Sequence, residues 1–422
     1  MKRLLALITL LAAASGLAFS QQYKVLYNFV LSSSDAAVPY SGLVFDSSGN
    51  LYGTTLNGGS TGLNAGTVYE LSPNASGGWT ETVLYNFCPA GPPCLDGDQP
   101  QSTLVMDQAG NLYGTTQAGG MGNDGSGGVA FELSPPSQQG NPWTETVLYN
   151  FCSDLKNNEC LDGLQPFAGL IFDRVGNLYG TTFEGGRHNL GTVFELSPGS
   201  SGWTETVLYN FCSSRLGSRC FDGAGPYSSL IFDKAGNLYG TTVAGGNQSG
   251  YAAGVLFELS PGSKGWTENL LAEFTRPGGF DAVNPPVFDS EGNIYSSLSL
   301  GGGEDAGALF QWNHATGALR EAGFDFTDGQ HPNVPFVDQL GRGFFGTTSN
   351  GGNNVNGYTE GVIYQASPKG RLNTIYKFCS QTNCTDGNTP YGNLVEDPQG
   401  NFYGTASAGG LYDGGVVFEI TP

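Results

Sequence analysis

The chain has 422 residues, of which 67 are glycine, 12% are aromatic and only 13% are charged. That aromatic content excludes a disordered chain, and glycine without a G-X-Y period excludes collagen, so the composition reads as all-β with many tight turns. The net charge of −21 repels phosphate backbones and anionic lipid heads, which excludes nucleic acid and membrane surfaces as natural partners.

Residues 1–20 read as an export leader. Lys2 and Arg3 form a basic start, "LLALITLLAAASGLA" is the apolar middle, and Ala18-Phe19-Ser20 offers small residues before Gln21. No later run is long enough in apolar residues to span a bilayer. The mature chain, 21–422, is therefore expected to be one acidic, secreted or periplasmic domain, monomeric and without membrane insertion.

Next comes "YKVLYNF" (23–29), and "VLYNF" recurs at 83–87, 147–151 and 207–211. A second motif runs through the whole chain: "FDSSGNLYGTT" from Phe45, "MDQAGNLYGTT" from Met106, "FDRVGNLYGTT" from Phe172 and "FDKAGNLYGTT" from Phe232. Weaker copies start at Phe288, Val337 and Glu396. These seven units of about 58 residues are the signature of a repeat architecture.

Each unit holds four strand-like runs. In the third they are 168–173, 178–183, 191–197 and 203–211, rich in aromatic and β-branched residues and bounded by Gly, Pro, Asn or Ser. In D-x-x-G-N, Asp accepts backbone N–H groups two residues on, and Gly supplies the positive φ that closes the hairpin. Seven such units predict a seven-bladed β-propeller of four-stranded blades. The last unit has only three runs, 392–397, 401–407 and 415–421. The strand at 23–29 is expected to complete it and close the ring, which removes two open sheet edges. A β-solenoid, the alternative repeat fold, would need no such closure.

The unit "GLIFDRVGNLYGTTFEGG…GTVFELSP" resembles the GloVer tandem repeat of exported bacterial proteins, the choice-of-anchor tandem repeat GloVer-containing family. The resemblance covers 23–422. It implies an exported repeat protein, often with a C-terminal sorting anchor, which "FEITP" does not provide. It implies no reaction and no catalytic residues.

Propeller connections sort onto two faces. The fourth-to-first and second-to-third loops, long and variable, share one face, here called the top, and are the candidate functional surface. All eight cysteines fall in fourth-to-first loops: Cys88 and Cys94, Cys152 and Cys160, Cys212 and Cys220, Cys379 and Cys384. The even count and the leader favour four local disulfides over zinc. These loops end in Asp followed four residues later by Pro, from Asp35/Pro39 to Asp386/Pro390. A Ca²⁺ site would need about 6–8 oxygens, and no D-x-D-x-D cluster supplies them, so a capped turn is the favoured role and no cofactor is expected.

The repeated third-strand Glu70, Glu132, Glu195, Glu258 and Glu419, and the fourth-strand Trp79, Trp143, Trp203 and Trp266, read as structural because they recur on every template blade. Residues that break the template are better site candidates: Glu184, Arg187 and His188 in one top loop, Glu304 and Asp305 in another, His331 in a third. The residue after the recurring proline is aromatic in four units, as Tyr40, Phe167, Tyr227 and Tyr391, beside the expected channel mouth. An aromatic rim suits stacking on sugar rings. The favoured function is binding or scaffolding, with an extracellular glycan or surface protein as partner. The alternative is a glycan-active lyase or hydrolase, or a lactonase, using top-face carboxylates with His188 or His331.

Overall fold

The computed structural model describes residues 22–31, 36–59, 62–122, 125–138, 140–157, 159–246, 253–333, 335–338, 341–352, 360–367 and 370–421. The leader at 1–20 and Asp35 lie outside them. Seven antiparallel sheets of four or five strands follow one another in chain order, with two further two-stranded ribbons in the loops at 155–160 and 215–220 and no α-helix among the described residues. The protein is a seven-bladed β-propeller. In the third blade the strands, from the centre outwards, are Ile171–Phe172, Leu178–Thr182, Thr192–Gly199 and Gly202–Asn210.

The last blade takes its outer strand from the N-terminus. Gln22–Val30 runs antiparallel to Asp413–Thr421, from Gln22 opposite Thr421 to Val30 opposite Asp413. The Asn of the "VLYNF" copies has a common task. Its Oδ1 accepts from the second-to-third loop, with Leu411 N on Asn28, Met121 N on Asn150 and Arg187 N on Asn210.

The D-x-x-G-N turn works as its chemistry dictates. Asp46 Oδ1 accepts Ser48 N and Asn50 N at 2.8 Å, and Oδ2 accepts the Asn50 side chain. Asp107, Asp173, Asp233, Asp289 and Asp397 repeat the arrangement.

Each residue of the G-T-T core has its own role. The glycine leaves room for a buried third-strand ring: a Cβ on Gly180 would lie 2.6 Å from Phe194 Cζ. The second threonine ties the end of its own strand, as Thr182 Oγ1 donates to Glu184 O. The first threonine reaches the next blade. Thr54 donates to Ser102 O at 3.3 Å, Thr115 to Ala168 O at 2.8 Å, Thr181 to Ser228 O at 3.2 Å and Thr241 to Ala282 O at 3.0 Å. Ser297 takes the role toward Pro332 O at 3.1 Å, and Asn333 Nδ2 toward Pro390 O at 2.6 Å. Thr405 closes the circle on Ser41 O at 2.9 Å. All seven seams are thus hydrogen-bonded, and the five threonines are at most 1% exposed.

This belt explains one departure from the sequence reading. The innermost strand pairs over only two residues per blade, not the six of 168–173. Its earlier part touches the second strand at one bridge, Leu164 to Glu184. Between the two, the carbonyl of Ala168 accepts from the preceding blade.

Tryptophans seal the outer seams. Trp79, Trp143, Trp203 and Trp266 lie 6.3–6.4 Å from Tyr403, Tyr52, Tyr113 and Tyr179 of the blade before. The packing role expected of them is the one they play.

Removing residues 21–30 strips the closing strand and opens two long edges. The truncated chain is expected to aggregate or melt far below the intact protein. An unchanged melting temperature by circular dichroism would contradict closure by this strand.

Candidate functional site

The four cysteine pairs are disulfides within single loops: Cys88–Cys94, Cys152–Cys160, Cys212–Cys220 and Cys379–Cys384. They point to an oxidising compartment outside the cytoplasm. Beside each bridge the recurring Asp organises its loop. Asp96 Oδ2 accepts Tyr85 OH and Cys88 N; Asp162, Asp222 and Asp386 likewise accept the hydroxyls of Tyr149, Tyr209 and Tyr376. Four of the seven repeated carboxylates are therefore bound into turns. No group of three or more His, Cys, Asp or Glu able to hold a metal occurs among the described residues.

The aromatics after the recurring prolines pair between adjoining blades. Tyr40 stacks on Tyr391 with centroids 4.3 Å apart, and Phe167 on Tyr227 at 4.6 Å. Phe183 meets both rings of the second pair edge-on. Burial raises the Tyr40 hydroxyl well above its ordinary range, with further contributions from Tyr391 and Tyr227, so the two pairs share one electrostatic neighbourhood. Each ring has one face covered by its partner, and all four are half-buried.

The belt positions these rings. Tyr40, Phe167 and Tyr227 immediately precede the residues whose carbonyls accept belt bonds, and Tyr391 follows one. Next to them lies Asp281, one of the recurring aspartates. Burial raises its carboxyl above the ordinary value, the charge of His331 opposes this, and Asp281 in turn helps raise Tyr227. Asp281 and His331 both have left-handed backbones, at φ 65° and 53°.

The other off-template residues are placed by their own loops. Glu184 pairs through its backbone with Leu164, Arg187 N bonds Asn210, and His188 is half-buried beside it. Asp305 Oδ1 caps Gly301 N, and Glu304 is exposed. The third-strand Glu70, Glu132 and Glu195 each accept a serine two residues on, at 2.7–2.9 Å, a structural role. The bottom face is less plain than its short turns suggest. A groove of about 1040 Å³ runs under blades 3 to 5, lined by Arg174, Lys234, Glu291 and His314 among others.

The sequence reading missed one set of titratable groups. Glu145, Glu205 and Glu268 of the fourth strands lie across the seams from Asp96, Asp162 and Asp222 of the preceding loops. Burial first, and the facing aspartate second, push them up to about 7, about 8 and about 7. Each glutamate has an oxygen without a hydrogen-bond partner, as have Asp162 and Asp222. A proton on the glutamate turns one such oxygen into a donor. At the last seam the ring-closing strand places Tyr23, a neutral hydroxyl, at this register position, stacked 3.9 Å from Tyr376. The Glu in three "W-T-E-T" copies and one "W-T-E-N" was the available signal.

The Gloeobacter/Verrucomicrobia repeat model matches residues 15–252 and 226–422. No curated protein matches the sequence. Among solved structures, a polysaccharide lyase of family 25, an ulvan lyase, is similar with TM-score 0.54 at 10% identity, covering 94% of each chain. A chain of the mitotic checkpoint complex has TM-score 0.54 at 13% identity, covering 100% of this chain and 99% of that one. A putative 6-phosphogluconolactonase from Bacteroides uniformis has TM-score 0.49 at 16% identity, covering 82% and 86%. The two likenesses at TM-score 0.54 agree with the propeller fold and establish nothing of its activity.

The seam glutamates predict a pH dependence. Glu205 has its folded value raised above the unfolded one, so the folded chain binds the extra proton between the two. The stability it contributes is full below the unfolded value of 4.5 and is lost as pH rises through about 8. Melting temperature is expected to fall from pH 5 to pH 9, and Glu205→Gln to melt above the native chain at pH 9 but level with it at pH 5. Parallel melting profiles would contradict the assignment.

Proposed function

The chain belongs to the Gloeobacter/Verrucomicrobia repeat family, and from that premise we propose that it is an exported, non-enzymatic binding protein whose top-face mouth engages an extracellular glycan. One observation carries this reading: Tyr40 with Tyr391, and Phe167 with Tyr227, from blades 1, 7, 3 and 4, form two stacked pairs beside the belt of the inner strands. Paired rings on a rigid frame present flat apolar surface with hydroxyl edges, which suits the CH faces and hydroxyls of sugars. The disulfide-bridged loops around them lose little further freedom when a ligand binds. Export follows from the leader together with the bridges.

A second reading rests on Asp281, a recurring aspartate, and the off-template His331, an acid–base pair next to Tyr227. A carboxyl group and an imidazole beside a sugar site are the parts that a lyase or hydrolase uses.

The test is a glycan array followed by calorimetry. Each stacked aromatic contributes on the order of 1 kcal/mol beyond area burial. Tyr227→Ala with Tyr391→Ala is therefore expected to weaken binding at least about tenfold, in a variant that still melts cooperatively. Lys234→Ala in the bottom groove is expected to change affinity little. Loss of binding in the lysine variant alone would move the site to the bottom face. Turnover of the bound glycan, abolished by His331→Ala, would replace the binding reading with the enzymatic one.

A further inference from the structure

The template places a tryptophan at the outer edge of each seam, and three seams lack it. Two of these are filled from elsewhere. Between blades 4 and 5, Trp312 of a third strand, 8% exposed, packs in the same cluster as Tyr239. Between blades 6 and 7, the Arg342 guanidinium lies 5.4 and 5.2 Å over the rings of Phe345 and Phe402 and bonds Glu396. Among the described residues, the seam between blades 5 and 6 has no such substitute.

The strand register shows what is missing there. In the third blade Leu196 pairs with Glu205, and Trp203 lies two residues before that glutamate. In the sixth, Ala366 pairs with Leu372, so Gly370 stands at the tryptophan position. Two large side chains, a leucine and a tryptophan, are thus reduced to a methyl group and a hydrogen. Tyr295, the ring that such a tryptophan would cover, meets Phe344 at 4.1 Å with the two rings tilted by 35°. Beside it a cavity of about 160 Å³ remains, lined by Tyr295, Leu309, Phe310, Ala322, Ala366 and Gly370. The chain cannot refill it from Gly370, whose φ is +80° and whose Cβ would meet Ala322 Cβ at 2.9 Å.

We infer that this cavity is a binding site for a small, neutral, planar aromatic molecule of about indole size. Four of the protein's own seams hold an indole against the equivalent tyrosine at 6.3–6.4 Å, which defines the shape that fits. The volume is sufficient, since an apolar cavity of roughly 150 Å³ holds benzene. The lining is mixed: apolar groups from Tyr295, Leu309, Phe310, Ala322, Phe344 and Ala366 face the ring, Gln311 and Glu321 offer acceptors for one ring N–H, and Arg320 beside Glu321 offers a cation for the ring face. The inference is independent of the ligand assigned to the mouth.

The test uses the full exported protein and indole itself, followed by ligand-detected NMR and calorimetry. Saturable binding is expected. Ala366→Leu restores the template residue and is expected to weaken indole at least about tenfold, with a melting temperature equal to or above that of the native chain. Ala322→Leu fills the same space from the facing blade and is expected to do likewise, so the result does not hang on one variant folding. A native chain that binds no indole would overturn the inference, as would folded variants that bind it undiminished. N-acetyltryptophanamide is expected to bind more weakly than indole. Equal binding would overturn the small-molecule assignment in favour of a side chain presented by a partner protein.

Discussion

The buried side-chain donor that each blade extends to a backbone carbonyl of the next, a hydroxyl in six blades and the Asn333 amide in the sixth, is the interaction on which the rest of this molecule depends. A propeller blade is stable within itself through its ladder, but nothing in that ladder fixes its angle to the neighbour. Thr54, Thr115, Thr181, Thr241 and Thr405 do so at the inner edge, with no water to compete. Buried donors and acceptors that pair in this way hold geometry firmly, because a broken pair strands both groups. The same bonds draw the innermost segment away from its own blade, which shortens its pairing. They also fix the residues beside them, and at four blades those residues are the aromatic rings of the mouth.

The ring is not uniform. Blades 1 to 4 keep the template nearly intact, while 5 to 7 vary it, and the variations are coupled across seams. Where Asn of the D-x-x-G-N turn becomes Arg342, the neighbouring first strand has Glu396 in place of Phe, and the two bond at 3.2 Å. Where a strand-four tryptophan is lost, Trp312 arrives from a third strand. A repeat array has nearest-neighbour energetics, so a change in one unit is answered by the unit it touches. The seam between blades 5 and 6 is the exception, and its unfilled volume sets it apart from the others.

Much of this was legible in the sequence because repeats report their own register. Asp46 and its six counterparts, Val337-Asp338 included, marked one hairpin seven times. The three-strand last unit and the "VLYNF" start together gave closure. Local spacing gave the disulfides, since Cys152 and Cys160 share one loop. The two-residue inner strands were not legible, because the competing acceptor sits one blade away. The four aromatics after the recurring prolines were readable as equivalent positions, but their stacking as Tyr40–Tyr391 and Phe167–Tyr227, each pair between neighbouring blades 7 and 1 or 3 and 4, depends on side-chain directions that the repeat does not encode. The seam glutamates were hidden by their exposed-looking alternation in "W-T-E-T": the burial that raises them is supplied by the next unit's loop. Glu184 and His188 stood out in sequence for breaking the template, yet the backbone of Glu184 is bridged to Leu164 on the segment that enters the innermost strand.

The most direct measurement compares Thr405→Val and Thr405→Ser by equilibrium unfolding in guanidinium chloride. Thr405 makes the belt bond between the last blade and the first. Valine keeps the shape and removes the hydroxyl, leaving Ser41 O without its donor. The account predicts that valine lowers the unfolding free energy by about 1–3 kcal/mol, the cost of a buried group left unpaired, while serine stays close to the native chain. A valine variant as stable as the native protein would contradict the belt as the determinant of ring geometry.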